Sequence, residues 1–149
     1  MEIKHKQSVS STNDWAREHA ASGGVLPMAF VADTQTVGRG QRSNTWDSPV
    51  GWTYLSIAFP PQAEPATDLP LAVAKHVCEV LAHHIPTESF WVKPPNDVYR
   101  SGPDGTDEKV AGILVEQNPD ALIIGIGVDY APEGLAKALV NRLETAILT

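Results

Sequence analysis

Cysteine is nearly absent. Cys78 is the single one among 149 residues, which excludes an internal disulfide framework and a Cys-rich zinc site and fits a reducing compartment. No apolar run approaches the roughly 18 to 20 residues of a membrane span, and the opening MEIKHKQSVS is too polar for a signal peptide. A cytoplasmic protein with no membrane partner is expected. Positive charge is also scarce: 11 Lys and Arg against 18 Asp and Glu give a formal charge of −7, and aromatics make up only 7%, so the basic footprint of a nucleic-acid reader is missing. His5, His19 and His76 are scattered and His83 and His84 adjoin, a distribution without metal-triad spacing, so no metal held by the protein alone is expected. A Gly-x-Ser-x-Gly nucleophile elbow and a Walker loop are missing as well.

What is present, 42% hydrophobic and 19% charged residues, describes one soluble domain over 1–149, long enough to bury roughly 68 to 70% of its unfolded surface. The loose stretches PPQAEPATD (60–68) and SGPDGTDE (101–108) are too short to separate two domains. Residues 2–9 fit a short strand. Ser11 opens a Ser-x-x-Asp capping box with Asp14, and the helix runs to about Ala21 before Gly23 and Gly24 close it. Strands are expected at 27–33 and 52–59, the second alternating Trp52, Tyr54, Ser56 and Ala58 against Thr53, Leu55, Ile57 and Phe59. A helix over about 67–85 carries an apolar stripe of Val73, Val77, Val80, Leu81 and Ile85, with Cys78 beside it as a core residue. FWVKP (90–94), DVYR (97–100), EKVAGILVE (108–116) and ALIIGIGVD (121–129) read as an antiparallel meander turning at Asn118-Pro119-Asp120. A last helix opens with Pro132 in its first turn and buries Leu135, Leu139, Leu143, Ala146 and Ile147. About six strands and three helices in blocks that do not alternate make the class α+β, one sheet with helices packed mainly on one face.

Four features suggest chemistry. In GRGQRSNTW (38–46) two glycines flank Arg39, and Arg42 follows with no acid before Asp47; this is either an anion-attracting loop or a solvated turn whose arginines pair with acids. Lys109 falls on the strand face of Ala111, Ile113 and Val115, where it either snorkels from the strand end or meets an anionic ligand. In KPPND (93–97) two prolines impose an extended approach to Asn96 and Asp97, whose ordinary reading is an Asx-capped turn. In GIGVD (125–129) the glycines permit close backbone approach or simply bend the strand.

Taken in order, SSTN (10–13), ADTQTVGRGQRSNTW (32–46), WVKPPND (91–97), KVAGILVEQ (109–117) and GIGVD (125–129) resemble the catalytic domain of biotin protein ligases over about residues 8–130. The resemblance implies the fold shared with class II aminoacyl-tRNA synthetases and lipoate ligases, a mixed, largely antiparallel sheet. It implies that ATP and biotin give biotinyl-adenylate and pyrophosphate, after which a lysine of a biotin carboxyl carrier protein attacks the mixed anhydride. Ser11 and Thr12 would hold the ureido ring, and Gln35 with Gly38-Arg39-Gly40 would close over biotin above Gly112, Gly125 and Gly127. Lys109 would bridge carboxylate and α-phosphate with Arg39 as the second catalytic cation. Arg42, Trp46, Asn96, Asp97 and Asp129 would serve ATP and its Mg²⁺. Under this reading Lys109, Arg39, Asn96 and Asp97 are functional rather than structural, and an open sheet edge is a candidate homodimer seam.

The chain departs from the family pattern at several points. The family loop usually continues Gly-Arg-Gly-Arg-x-Gly-Arg, whereas Gln41, Ser43 and Asn44 remove much of that charge here. Pro94 stands for the usual tryptophan of Lys-Trp-Pro-Asn-Asp, and Asp129 for the asparagine of Gly-x-Gly-Ile-Asn. About three residues are expected between Asp129 and the last helix, so the loop that orders over adenine is expected to be missing, as are a C-terminal β-barrel and an N-terminal helix-turn-helix. Two alternatives stand beside the ligase: a degenerate relative that binds biotin or another small acid without adenylating it, and a lipoate or octanoyl transferase.

Overall fold

The computed structural model describes residues 1–65 and 67–148, and all but the side chain of Ser43 within them; Ala66 of the 60–68 stretch and Thr149 lie outside the described residues. Elements follow as β1 (Ile3–Val9), α1 (Thr12–Ala21), β2 (Met28–Gln35), β3 (Thr53–Phe59), α2 (Leu69–His84), β4 (Phe90–Lys93), β5 (Asp97–Ser101), β6 (Asp107–Gln117), β7 (Leu122–Val128) and α3 (Leu135–Leu148). They build a seven-stranded sheet, one strand more than the count of about six, in the order β1-β2-β3-β7-β6-β5-β4. Only the β1–β2 pair is parallel, because α1 crosses between them; every other pair is antiparallel, and β4 to β7 form the expected meander.

The alternation expected for β3 is absent as a burial pattern, since all seven of its residues are buried. The reason is that β3 is covered on both faces. Leu55, Ile57 and Phe59 join the large core beneath α2 and α3, whereas Ala58 joins Phe30, Ile123 and the small α1 residues Ala16 and Ala20 on the opposite face. Two helices thus share one face, and α1 alone covers part of the other. Cys78 packs at the margin of the larger core, where burial raises its thiol above the ordinary range.

Three local expectations are corrected. Pro132 lies before α3, which starts at Leu135 after Gly134, so five residues rather than three follow Asp129; Ala146 is exposed and Ile147 only half-buried. Residues 94–96 form a turn with a cis Pro94–Pro95 bond and not an extended approach. The third correction concerns Lys109. Val98 pairs with Ala111 but Tyr99 pairs with Lys109, so one extra residue interrupts β6 at Val110. Such a bulge places two successive residues toward one side and resets the alternation. Val110 and Ala111 both enter the large core, and Lys109 is released from that apolar face to the other one.

Candidate functional site

The helix-free part of the α1 face is an open cleft of about 650 Å³ whose floor is β6 and β7 and whose roof is the 39–46 loop. Its closed end is built from α1 and β2. Ser11 caps the helix by accepting from the Asp14 N–H at 3.0 Å, as expected, but the Asp14 carboxylate does not return to complete the box; it pairs with Arg17 at 2.7 Å and Arg39 at 2.8 Å. The Thr12 N–H, left free by the helix start, donates to Gln35 Oε1 at 2.8 Å, and the Thr12 hydroxyl lies 3.2 Å from the same oxygen. Gln35 Nε2 then donates to Ser48 Oγ at 3.0 Å. The buried Ser56 hydroxyl lies 2.7 Å from Thr12 Oγ1 and 2.5 Å from Asn13 Oδ1. These groups form one connected polar patch at the bottom of an otherwise apolar sheet face, a placement tolerable only because each is bonded.

The glycines shape the floor by leaving room for side chains rather than by bending strands. A Cβ on Gly125 would come within 3.0 Å of the Asn13 amide nitrogen, one on Gly127 within 2.5 Å of Trp46 Nε1, and one on Gly112 within 2.7 Å of the same indole. Trp46 therefore lies flat over Gly112 and Gly127, its indole N–H buried and without an acceptor. The Lys109 ammonium stands 4.9 Å from the Trp46 ring centroid and 3.0 Å from Asp97 Oδ1, the latter a close electrostatic contact and not a well-directed hydrogen bond.

Ser11, Thr12, Gln35, Arg39, Gly40, Arg42, Trp46, Asn96, Asp97, Lys109, Gly112, Gly125 and Gly127 all border this cleft. Gly38 and Asp129 do not. Gly38 is buried behind the roof, where its carbonyl accepts from the Trp46 N–H at 2.8 Å. Asp129 hydrogen-bonds through its N–H to the Val110 carbonyl at the bulge, and burial, with Asp47 and Glu108 adding to it against Lys109, pushes its carboxyl up to about 6. Asn96 is buried and tied to Ile113, its side-chain amide donating to that carbonyl at 2.9 Å while its own carbonyl accepts the Ile113 N–H. It holds the β4–β5 turn against β6 and so delivers Asp97 to Lys109.

Arg39 differs most from expectation. Its guanidinium makes a two-point pair with Glu116 at 3.0 Å on each arm and a third bond to Asp14. The Glu116 hydrogen bonds raise the arginine above its ordinary value; burial opposes the Glu116 charge, but Arg39 and Asn13 outweigh it and hold that carboxyl low. Two carboxylates already balance this cation, so Arg39 is not an uncommitted catalytic charge; Arg42, exposed and in the left-handed region at φ 56°, is the loop's freer arginine. Asn13, Ser56 and Glu116 were not among the residues expected at the site. Asn13 follows Ser11-Thr12, and Glu116 ends the apolar run of β6, but neither signal says that they meet 103 residues apart.

A profile of the Biotin/lipoate A/B protein ligase family matches residues 6–129. The chain is 35% identical over 122 residues to the bifunctional ligase/repressor BirA of Escherichia coli, covering 76% of this chain and 36% of that one. It is 31% identical to the biotin–[acetyl-CoA-carboxylase] ligase of Mycobacterium tuberculosis, covering 92% and 53% respectively. The chain therefore spans about one third to one half of the length of these relatives. Its fold superposes on biotin protein ligase from Aquifex aeolicus, solved in complex with biotin and ATP, with a TM-score of 0.79 and 28% identity, covering 97% of this chain and 69% of that one.

Proposed function

Because the chain belongs to the biotin/lipoate A/B protein ligase family, we propose that its cleft activates biotin with ATP and passes the acyl group to a lysine of a biotin carboxyl carrier protein. The observation that carries this reading is the polarity of the cleft: a hydrogen-bonding closed end at Ser11, Thr12, Asn13 and Gln35, then the apolar Trp46 indole laid over the glycine floor, then an ammonium at Lys109. A cyclic urea offers donors and acceptors to the closed end, an aliphatic chain runs along the indole, and a carboxylate ends at Lys109. A dithiolane ring has no donor or acceptor to offer this polar end, which disfavours the lipoate alternative.

In the first step a carboxylate oxygen of biotin attacks the α-phosphorus of ATP, and pyrophosphate leaves with the electrons of the broken P–O bond. Lys109 offsets the repulsion between the two anions and the charge that develops at phosphorus. Asp97 holds the ammonium over Trp46 rather than letting it extend to water. In the second step the carrier amine attacks the mixed-anhydride carbonyl, loses a proton, and expels AMP. Among the described residues no group of three His, Cys, Asp or Glu is arranged to hold a metal ion, so Mg²⁺ would arrive on the nucleotide phosphates, with Asp97 the carboxylate beside Lys109. A second copy of the chain has two open sheet edges available, β1 and β4.

Binding without adenylation is the competing reading, favoured by the neutralised Arg39 and by Gln41 and Asn44 in the roof. Biotin-dependent exchange of labelled pyrophosphate into ATP separates the two. Exchange is the expected result; tight biotin binding without exchange would establish the competing reading.

A further inference from the structure

Glu116 lies outside the cleft, yet it touches both parts that enclose the closed end. Its Oε1 accepts from Asn13 Nδ2 at 2.9 Å and from Arg39 at 3.0 Å, and its Oε2 accepts from the other arm of Arg39. A carboxylate only accepts, so it turns the amide of Asn13 nitrogen-outward, an orientation that the Leu114 carbonyl at 3.5 Å supports weakly. The Asn13 oxygen must then face the Ser56 hydroxyl, which commits that single proton to Asn13, so the 2.7 Å contact between the two hydroxyls is made by Thr12 donating to Ser56. The same carboxylate anchors the first residue of the roof that borders the cleft. We propose that Glu116 is a positioning residue that couples closure of the 39–46 roof to the donor–acceptor sense of the closed end, through Arg39 on one side and Asn13 on the other.

The geometry limits what Glu116 can do. It sits seven residues beyond Lys109 on β6, about 20 Å away at the ordinary strand rise. It therefore acts on how firmly the ring end of the ligand is held and not on the chemical step. Gln at this position keeps the volume but replaces one acceptor by a donor, which breaks the two-point pair and permits the Asn13 amide to turn.

The ligand half of the test rests on the biotin reading; the roof half does not. Ligand-free wild type and Glu116→Gln are digested with trypsin, and cleavage after Arg39 is timed by mass spectrometry. Loss of one charged two-point contact predicts cleavage about ten-fold faster in the variant. Amide exchange of residues 39–46 gives a second readout on the folded protein, and thermal melting confirms that only the roof has loosened. In pyrophosphate exchange the biotin KM should rise about ten-fold with kcat within about two-fold of wild type. Equal cleavage and equal amide exchange in the two proteins would overturn the proposal. So would a fall in kcat at unchanged KM, which would place Glu116 in the chemistry. If wild type shows no exchange activity, the failure belongs to the ligase reading, and the roof measurements decide the role of Glu116.

Discussion

Replacing Asp129 with Asn should stabilise the protein at neutral pH and leave it unchanged in acid. The Asp129 carboxyl is pushed from 3.8 to about 6, first by burial and then by Asp47 and Glu108, with Lys109 opposing. Between those values the native protein binds a proton that the unfolded chain has released, so wild-type stability falls as pH rises through this window. Above it, Asp129 is charged in both states and the native state bears the cost of holding that charge. Two units correspond to a ceiling of about 3 kcal/mol, and solvent screening of a half-exposed group reduces this to about 1 kcal/mol. Asn has the same shape, keeps the backbone bond to Val110 and carries no charge. Urea denaturation of both proteins at about pH 3.5 and pH 7.5 isolates the effect, because the other carboxylates cancel in the difference between wild type and variant. A gain of about 1 kcal/mol at the higher pH, vanishing at the lower, is expected. An equal gain at both values would show that packing, and not the charge, is responsible; no gain at either would show that the carboxyl is well solvated.

Lys109→Met should abolish pyrophosphate exchange while changing stability by no more than about 1 kcal/mol, since the lost ion pair is half-exposed; denaturation and exchange on one preparation check both halves. Gly127→Ala places a methyl 2.5 Å from Trp46 Nε1 and should swing the indole off the floor; near-UV circular dichroism should change, and biotin affinity by calorimetry should fall by about ten-fold or more. Ser56→Ala removes the partner of the Asn13 oxygen and the Thr12 hydroxyl in a fully buried setting; chemical denaturation should show a loss of about 1 to 3 kcal/mol.

Most of the secondary structure was legible because its causes are local. Ser11 caps α1, the apolar stripe of α2 is written at helical spacing, and the last four strands are contiguous runs joined by short turns, so each could be placed without knowing its neighbours. The site strings were legible through the combination of five motifs in order. Their roles were less so. Counting in twos along β6 puts Lys109 on the face of Ala111, Ile113 and Val115, a count that holds until a bulge intervenes, and nothing in DEKVAGILVE marks Val110 as the extra residue. The double burial of β3 was hidden for a related reason: Tyr54 and Ser56 alternating with Leu55, Ile57 and Phe59 suggest one wetter face, but the middle of a sheet between α1 and the α2–α3 layer has no solvent face. The residue types available for chemistry, an ammonium near the start of β6 and a glycine-flanked arginine before a tryptophan, are readable in the sequence alone. Which of those charges is available was decided only by the tertiary structure. Arg39, in the roof loop, is neutralised by Asp14 and by Glu116, 77 residues away on β6, while Lys109 is turned into the cleft by a local irregularity in pairing. Charge pairing depends on distance in space, and only the folded sheet brings those residues within it.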